Sequence, residues 1–299
     1  GKKMKYKAVL LSIRLPFLIL TPMCILLGAS VVIASPESIN FLSLFLAFIG
    51  ALLAHVSVNS LNEYLDFKSG LDLMTKKTDF SGGSGGLPQQ PELSSHVLIL
   101  AVTCLLLMIL IGGYFYWLYG AEILPLGILG LFIVATYTQW INKNPLLCLI
   151  APGLGFGFLM VIGTQFVLVG EYWAISLLVG VIPFFLVNNL LLLNQYPDIE
   201  ADRKVGRRHF PICYGVNHST NVYGAFALAS ILAIIIYVSF GYLPMLSLVA
   251  LTPMPLALFT FLGALKYKEK IGEHPKYLSA NVAVTILTPL FLSISIIMG

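Results

Sequence analysis

Charge is scarce in this chain of 299 residues. Only 10% of them are Asp, Glu, Lys or Arg, while 58% are hydrophobic; soluble domains carry about 25% charged residues. That shortage excludes an ordinary water-soluble domain and leaves lipid as the main solvent. Cysteine is scarce too. Cys24, Cys104, Cys148 and Cys213 are scattered without CxxC spacing, which argues against a disulfide framework or a zinc site. No basic-aromatic strip of the kind used on single-stranded nucleic acid is present. The net charge of +4 therefore reads as membrane topology and contact with anionic lipid, with no nucleic-acid partner. A cleavable leader is not expected either: the N-terminal lysines precede an apolar run that continues at spanning length without a small-residue cleavage site.

What the chain has in abundance is long apolar runs. A spanning helix needs about 20 mostly apolar residues, and nine runs qualify, near 15–35, 40–63, 95–117, 120–141, 146–168, 172–195, 221–240, 243–265 and 277–298. The weakest break, Gly241-Tyr242, separates the seventh from the eighth. The expected fold is all-α: a polytopic membrane protein with nine transmembrane helices around a central cavity open to the cytoplasm, forming one domain over 1–299. All 17 Lys and Arg fall in the N-terminal tail or in the loops after the even-numbered runs, while the opposite loops hold only Glu37, Glu122 and Glu171. The positive-inside rule then puts the N-terminus and the even loops in the cytoplasm and the C-terminus outside.

Acid is the scarcest charge, with 13 residues, yet two stretches far apart spend it alike. Asn62-Glu63-Tyr64-Leu65-Asp66 is followed by Asp72, and Asn194-Gln195-Tyr196-Pro197-Asp198 by Asp202. Each closes an apolar run. On a helical wheel His55, Asn59, Asn62 and Asp66 fall within about 60°, and such a polar stripe must face other helices or a water-filled cavity. Interhelical hydrogen bonding is an equal reading for His55 and Asn59; a carboxylate at Asp66 needs a cation. In the second set Asn194, Asp198 and Asp202 keep i, i+4 spacing, although Pro197 should kink or restart the helix ahead of Asp198. Asn188 falls on the Asp202 side of the wheel and could face the same cavity, while Asn189 points nearly opposite.

The two longest hydrophilic loops, about 67–95 and 197–220, directly follow these sets and are expected to roof an active site. The first contains Ser81-Gly82-Gly83-Ser84-Gly85-Gly86; the second contains Arg203, Lys204, Arg207 and Arg208. Mg²⁺ prefers oxygen ligands and is often held by one or two carboxylates plus substrate phosphates. Facing clusters at Asp66, Asp72, Asp198 and Asp202 would suit it. Lys68, Arg203, Lys204 and Arg207 would neutralise remaining phosphate charge, and the glycine loop would add backbone donors or close as a lid.

These two stretches resemble the aspartate-rich motifs of the UbiA superfamily of intramembrane prenyltransferases. Asp66-Phe67-Lys68-Ser69-Gly70-Leu71-Asp72, Phe80 with the glycine loop after it, Asp198-Ile199-Glu200-Ala201-Asp202-Arg203-Lys204 and Arg14-Leu15-Pro16 are most similar to the menaquinone branch, the 1,4-dihydroxy-2-naphthoate prenyltransferases. In the loop after the fourth run, Tyr137 and Lys143 loosely match the family's Tyr/Lys-bearing segment. Where that branch commonly shows an Arg and then Gly-Leu-Gly-Glu in helix five, this chain has Gly153-Leu154-Gly155-Phe156-Gly157.

The resemblance implies Mg²⁺-dependent transfer of an isoprenoid chain from an allylic polyprenyl diphosphate to a hydrophobic, aromatic acceptor in quinone biosynthesis. It implies metal ligands at Asp66, Asp72, Asp198 and Asp202, with Asn62 and Asn194 orienting ligands or stabilising the allylic cation. Arg14, Lys68, Tyr137, Lys143, Arg203, Lys204 and Arg207 would hold the substrate. Gly153, Gly155, Gly157 and Gly163 either leave room for the prenyl tail or let helices pack closely. Two alternatives stay open: a terpene cyclase on the same scaffold, and a cation-coupled transporter using the acids as its ion site.

Overall fold

The structure is a computed structural model that describes residues 4–74 and 83–299, apart from the side chains of 72 and 73. Its described residues are helical and loop residues without strands. The helices are α1 (Lys7–Ser12), α2 (Leu15–Leu18), α3 (Leu20–Ile33), α4 (Phe41–Ser69), α5 (Leu71–Met74), α6 (Gly86–Gln89), α7 (Ser94–Tyr119) and α8 (Leu124–Thr136). They continue as α9 (Pro145–Gly153), α10 (Val161–Val169), α11 (Ala174–Asn194), α12 (Ile199–Lys204), α13 (Phe210–Ser239), α14 (Met254–Tyr267) and α15 (Pro275–Met298).

Eight continuous helical runs among the described residues are long and apolar enough to cross a membrane, against the nine expected. The difference lies in the third, Pro91–Thr136, which absorbs two expected spans. Its 46 residues would extend about 69 Å if straight, more than twice a bilayer's hydrocarbon core. The run does not stay straight. Gly120 takes φ 78°, ψ −153°, outside any helix, and a 3₁₀ turn over Gly120–Ile123 follows. Beyond it α8 folds back on α7, so that a Cβ at Gly130 would lie 3.6 Å from Met108 Cε. The expected break at Gly241 is present as a left-handed residue with φ 77°.

The helix that positions the first aspartate set is built to be long. In α4 the Asn40 side chain accepts from Ser43 N–H at the N-terminus, and left-handed Gly70 (φ 81°) ends the helix. Its 29 residues rise about 43 Å, so its last turns, with Asn62 and Asp66, reach beyond a hydrocarbon core of about 30 Å. The second set sits where α11 stops: a 3₁₀ turn over Tyr196–Asp198 intervenes before α12. Pro197 therefore does interrupt the helix, as its missing N–H requires.

Lipid gives apolar side chains little reason to associate, so close packing has to hold such helices together. Cys24, Leu27 and Val32 of α3, Val161 of α10, Ile182 and Leu186 of α11, and Val284 and Leu292 of α15 form the largest core. Phe41, Ile99, Leu110 and Trp117 are left on the outer surface. The run Pro145–Val169, made of α9, the turns after it and α10 and called helix five below for the fifth expected span, packs on α11 backbone to backbone. A Cβ at Gly153 would sit 2.2 Å from Phe184 O, and one at Gly157 2.4 Å from Phe184 N. Between α9 and α10 the chain winds as a π-helix over Leu154–Met160, a distortion common at functional sites. There Gly155 has nothing within 4 Å of its Cβ position.

The four glycines of helix five thus divide by role. Gly153 and Gly157 serve helix contact, while Gly155 and Gly163 line the cavity described below. Gly157→Ala should destabilise the protein by about 1–3 kcal/mol through overpacking, whereas Gly155→Ala should leave the melting temperature in detergent unchanged. Equal melting of the two variants would contradict this division.

Candidate functional site

A cavity of about 730 Å³ runs between α4, α7, α8 and helix five. Most of its wall is apolar: Ala54, Met108, Gly112, Leu126, Phe156 and Leu159 are typical. Ile109, Tyr116 and Ile128 line it and are also exposed on the outer surface, at 44%, 50% and 61%, so the chamber communicates with the lipid-facing side at α7 and α8. One end is polar, and there the two aspartate sets meet.

Asn62, Asp66, Asn194, Asp198 and Asp202 all line this end. Asp66 and Asp202 are 6% and 5% exposed, and Arg207 lies between them. Its Nη2 donates to Asp66 Oδ1, and its Nη1 donates to Asp202 Oδ1 at 3.2 Å. Burial of carboxylates demands such a counter-charge. Burial also works against the Arg207 charge, but the Asp66 and Asp202 carboxylates outweigh it and hold the guanidinium pKa above its usual value. Arg207 stays cationic at any working pH.

The remaining carboxylate oxygens are also engaged. Asn62 Nδ2 donates to Asp66 Oδ2 at 3.2 Å, and Asn62 Oδ1 accepts from Thr138 Oγ1 at 3.0 Å. His209 Nε2 is 2.9 Å from Asp202 Oδ2, while its Nδ1 accepts from Ile212 N–H at the start of α13. That backbone bond assigns the proton to Nε2, so His209 donates to Asp202.

Glu63, 1% exposed, anchors the glycine loop. Its Oε1 accepts from Ser84 N–H at 2.8 Å and its Oε2 from Ser84 Oγ at 3.0 Å. Arg14 Nη1 is 3.6 Å from Glu63 Oε1. Arg14 lines the cavity and takes left-handed φ 57°, ψ 56°, a conformation that costs a non-glycine residue about 1–2 kcal/mol. Gly83 also lines the cavity. Ser81 and Gly82 lie outside the described residues, as does the Asp72 side chain.

Several basic residues singled out in the sequence lie off the cavity. Lys68 is exposed, with its Nζ 5.7 Å from the Tyr64 ring centroid. Arg203 pairs with Glu200 at 2.8 Å on the exposed face of α12, and Lys204 and Lys143 are exposed. The reason is helical phase: Asp202 faces inward from α12, so its chain neighbours Arg203 and Lys204 point away from it. Of the expected substrate-holding residues, Arg14, Tyr137 and Arg207 line the chamber.

His55, Asn59, Asn62 and Asp66 do share the cavity wall. His55 and Asn59 are bonded within it, to Thr21 Oγ1 at 2.9 Å and Ile13 O at 3.0 Å. Asn188 is a correction: it is absent from the cavity wall, and its Oδ1 accepts from Gly153 N–H at 2.6 Å, tying α11 to helix five. Glu63, Thr138, Asn142 and His209 were not expected. Glu63 had a signal, an acid within an apolar run; His209 had none beyond its place after two arginines.

Among the described residues no group of three or more His, Cys, Asp or Glu side chains converges as a metal site. The donor set nevertheless fits a hard divalent cation. It consists of carboxylate and amide oxygens, and Asn194 Oδ1 is buried on the same wall without a hydrogen-bond partner.

An apolar chamber in an all-helical membrane bundle, with residues of two acid sets at one end, suits a lipid-soluble molecule with a charged head. The chain belongs to the UbiA prenyltransferase family, whose family model matches residues 21–282; it is an intramembrane prenyltransferase. It is 28% identical over 223 residues to the 1,4-dihydroxy-2-naphthoate octaprenyltransferase of Bacillus subtilis (strain 168), covering 72% of this chain and 69% of that protein. Among solved structures it resembles a UbiA homolog from Archaeoglobus fulgidus bound to DMAPP and Mg²⁺, with TM-score 0.63 and 15% identity over 94% of this chain and 98% of that one. It also resembles the apo structure of a UbiA homolog from Aeropyrum pernix K1, with TM-score 0.67 and 16% identity over 93% and 98%.

Removing the Glu63 anchor tests the site's construction. Glu63→Ala should raise hydrogen exchange at Ser84–Gly86 while the amides of α7 and α11 keep their protection. Unchanged exchange at Ser84 would show that the loop is held by other contacts.

Proposed function

We propose that the chain, acting as a single transmembrane domain, transfers an isoprenoid chain from an allylic polyprenyl diphosphate to a hydrophobic aromatic acceptor, such as 1,4-dihydroxy-2-naphthoate in menaquinone biosynthesis, with Mg²⁺ as cofactor. One observation carries the reading: both aspartate sets meet at the polar end of a largely apolar chamber. A polyprenyl diphosphate has that same division, a doubly phosphorylated head on a long hydrocarbon tail. Similarity to the naphthoate octaprenyltransferase supports the choice of acceptor, and the lysine and arginine distribution supports a cytoplasmic site and N-terminus with an outer C-terminus.

Asp66, Asp198 and Asp202, with Asp72 from the adjoining segment, would hold Mg²⁺ ions. When bound, the ions neutralise charge that develops on the departing diphosphate. Arg14 and Arg207 face the same end and bind phosphate oxygens through planar forks. The amide groups of Asn62 and Asn194 orient those ligands. As the C–O bond loosens, the positive charge on the allylic carbon lies beside Tyr137, whose ring face stabilises a cation. The apolar wall keeps water from that carbon, so the acceptor's electron-rich ring carbon captures it and then loses its proton.

Incubation of purified protein with Mg²⁺, allylic diphosphates and candidate aromatics, read by mass spectrometry, tests the reaction. Acceptor-dependent prenylated product is expected. Diphosphate release without any acceptor, yielding a cyclic hydrocarbon, would make the protein a cyclase instead. Asp66→Ala and Asp198→Ala should each lower Mg²⁺-dependent turnover by about 100-fold or more in folded protein, and near-normal activity in either would sink the metal assignment. Arg14→Ala should raise the apparent KM for the diphosphate, while Lys68→Ala and Arg203→Ala leave it nearly unchanged. The opposite ranking would place the phosphate shell on the exposed face.

A further inference from the structure

We infer that Arg207 occupies the cation seat between the two aspartate sets in the resting enzyme, and that metal and diphosphate arrive by displacing it. The inference rests on the prenyl diphosphate reading of this site. Its basis is the double ion pair: one guanidinium donates to Asp66 from α4 and to Asp202 from α12, using the carboxylate oxygens that a metal would need. The other oxygens of these carboxylates are bonded to Asn62 and His209, so a cation entering between the pair competes with Arg207 directly.

The surroundings permit a side-chain exchange and resist a larger one. The backbone on either side of Arg207 is pinned: Arg207 N–H donates to Asp202 O at 3.0 Å, and Arg208 N–H to Asn142 O at 2.8 Å. The guanidinium itself borders the cavity, and its side chain is 15% exposed. Rotation of that side chain into the chamber would clear the carboxylates for metal and present the same fork to the diphosphate. A guanidinium and a divalent ion repel in a site this dry, so the two should not share the carboxylates. A diphosphate that draws Arg207 away should therefore tighten metal binding. Linkage requires the metal to tighten diphosphate binding by the same factor.

Mn²⁺ binding to the purified full-length protein, followed by the electron paramagnetic resonance of free Mn²⁺ and corrected by a protein-free titration for the Mn²⁺ that diphosphate itself chelates, reads this without turnover. Wild type should bind Mn²⁺ about tenfold more tightly with inorganic diphosphate present than without it, a coupling in the usual range for linked sites. Arg207→Met should bind Mn²⁺ about tenfold more tightly than wild type when no diphosphate is present, and should lose most of the coupling. Arg207→Lys, which keeps a charge but not the fork, should fall between them and serves if the Met variant does not fold. Unchanged or weaker Mn²⁺ binding in these variants would overturn the exchange and make Arg207 an organiser of the carboxylates. Because Mn²⁺ binding is measured without donor turnover, that outcome is separate from failure of wild type to transfer a prenyl group, which would instead overturn the functional reading.

Discussion

A carboxylate buried at a membrane edge must have a cation, and in this protein that requirement joins the two halves of the site. Asp66 ends a helix near the start of the chain, and Asp202 follows a helix beyond its middle. Arg207 binds both, so neither acid can be buried without bringing its partner close. The Asn62 and His209 bonds to the remaining oxygens fix how each carboxylate faces. Removing one partner from such a buried network costs about 3–5 kcal/mol, more than enough to make the arrangement specific. What the network preserves is a concentration of oxygen donors at one end of a dry chamber.

That chamber depends on glycine used for two opposed purposes. At Gly153 and Gly157 the missing side chain lets helix five touch the α11 backbone at Phe184. At Gly155 and Gly163 it leaves space inside the cavity. The π-helix between α9 and α10 changes the phase of helix five, which brings Gly155, Phe156 and Leu159 to the cavity wall. Tight packing on one side and open volume on the other are thus produced within a few residues. The half-exposed side chains of Ile109, Tyr116 and Ile128 carry the same chamber to the lipid-facing surface.

Much of this was legible in the sequence. Apolar run length gave an all-helical membrane fold, and the repeated Asn and Asp spacing identified both acid sets. The span count exceeded the eight continuous runs because α8, at 13 residues, folds back at Gly120 and remains continuous with α7 through a 3₁₀ turn. The lysines and arginines were harder to assign. Position beside an aspartate says nothing about direction on a helix, so Lys68 and Arg203, adjacent in sequence to the acids, face outward. Arg207, five residues past Asp202, curls back through the left-handed Gly206 (φ 83°) to meet it. Glu63 stood out as an acid within an apolar run, but its role was hidden for a related reason: its partners include a backbone N–H and hydroxyl of Ser84 and the Arg14 guanidinium, contacts that exist only after three segments come together.

The central claim is that the two acid sets form one metal and diphosphate site. Anomalous diffraction at the manganese edge, from crystals grown with Mn²⁺ and an unreactive thiolodiphosphate donor analogue, tests it most directly. The account predicts manganese peaks between the carboxylate of Asp66 and those of Asp198 and Asp202, with the analogue's phosphates against them and its tail in the apolar chamber. Manganese bound by one set alone, or an analogue lying outside that chamber, would contradict it.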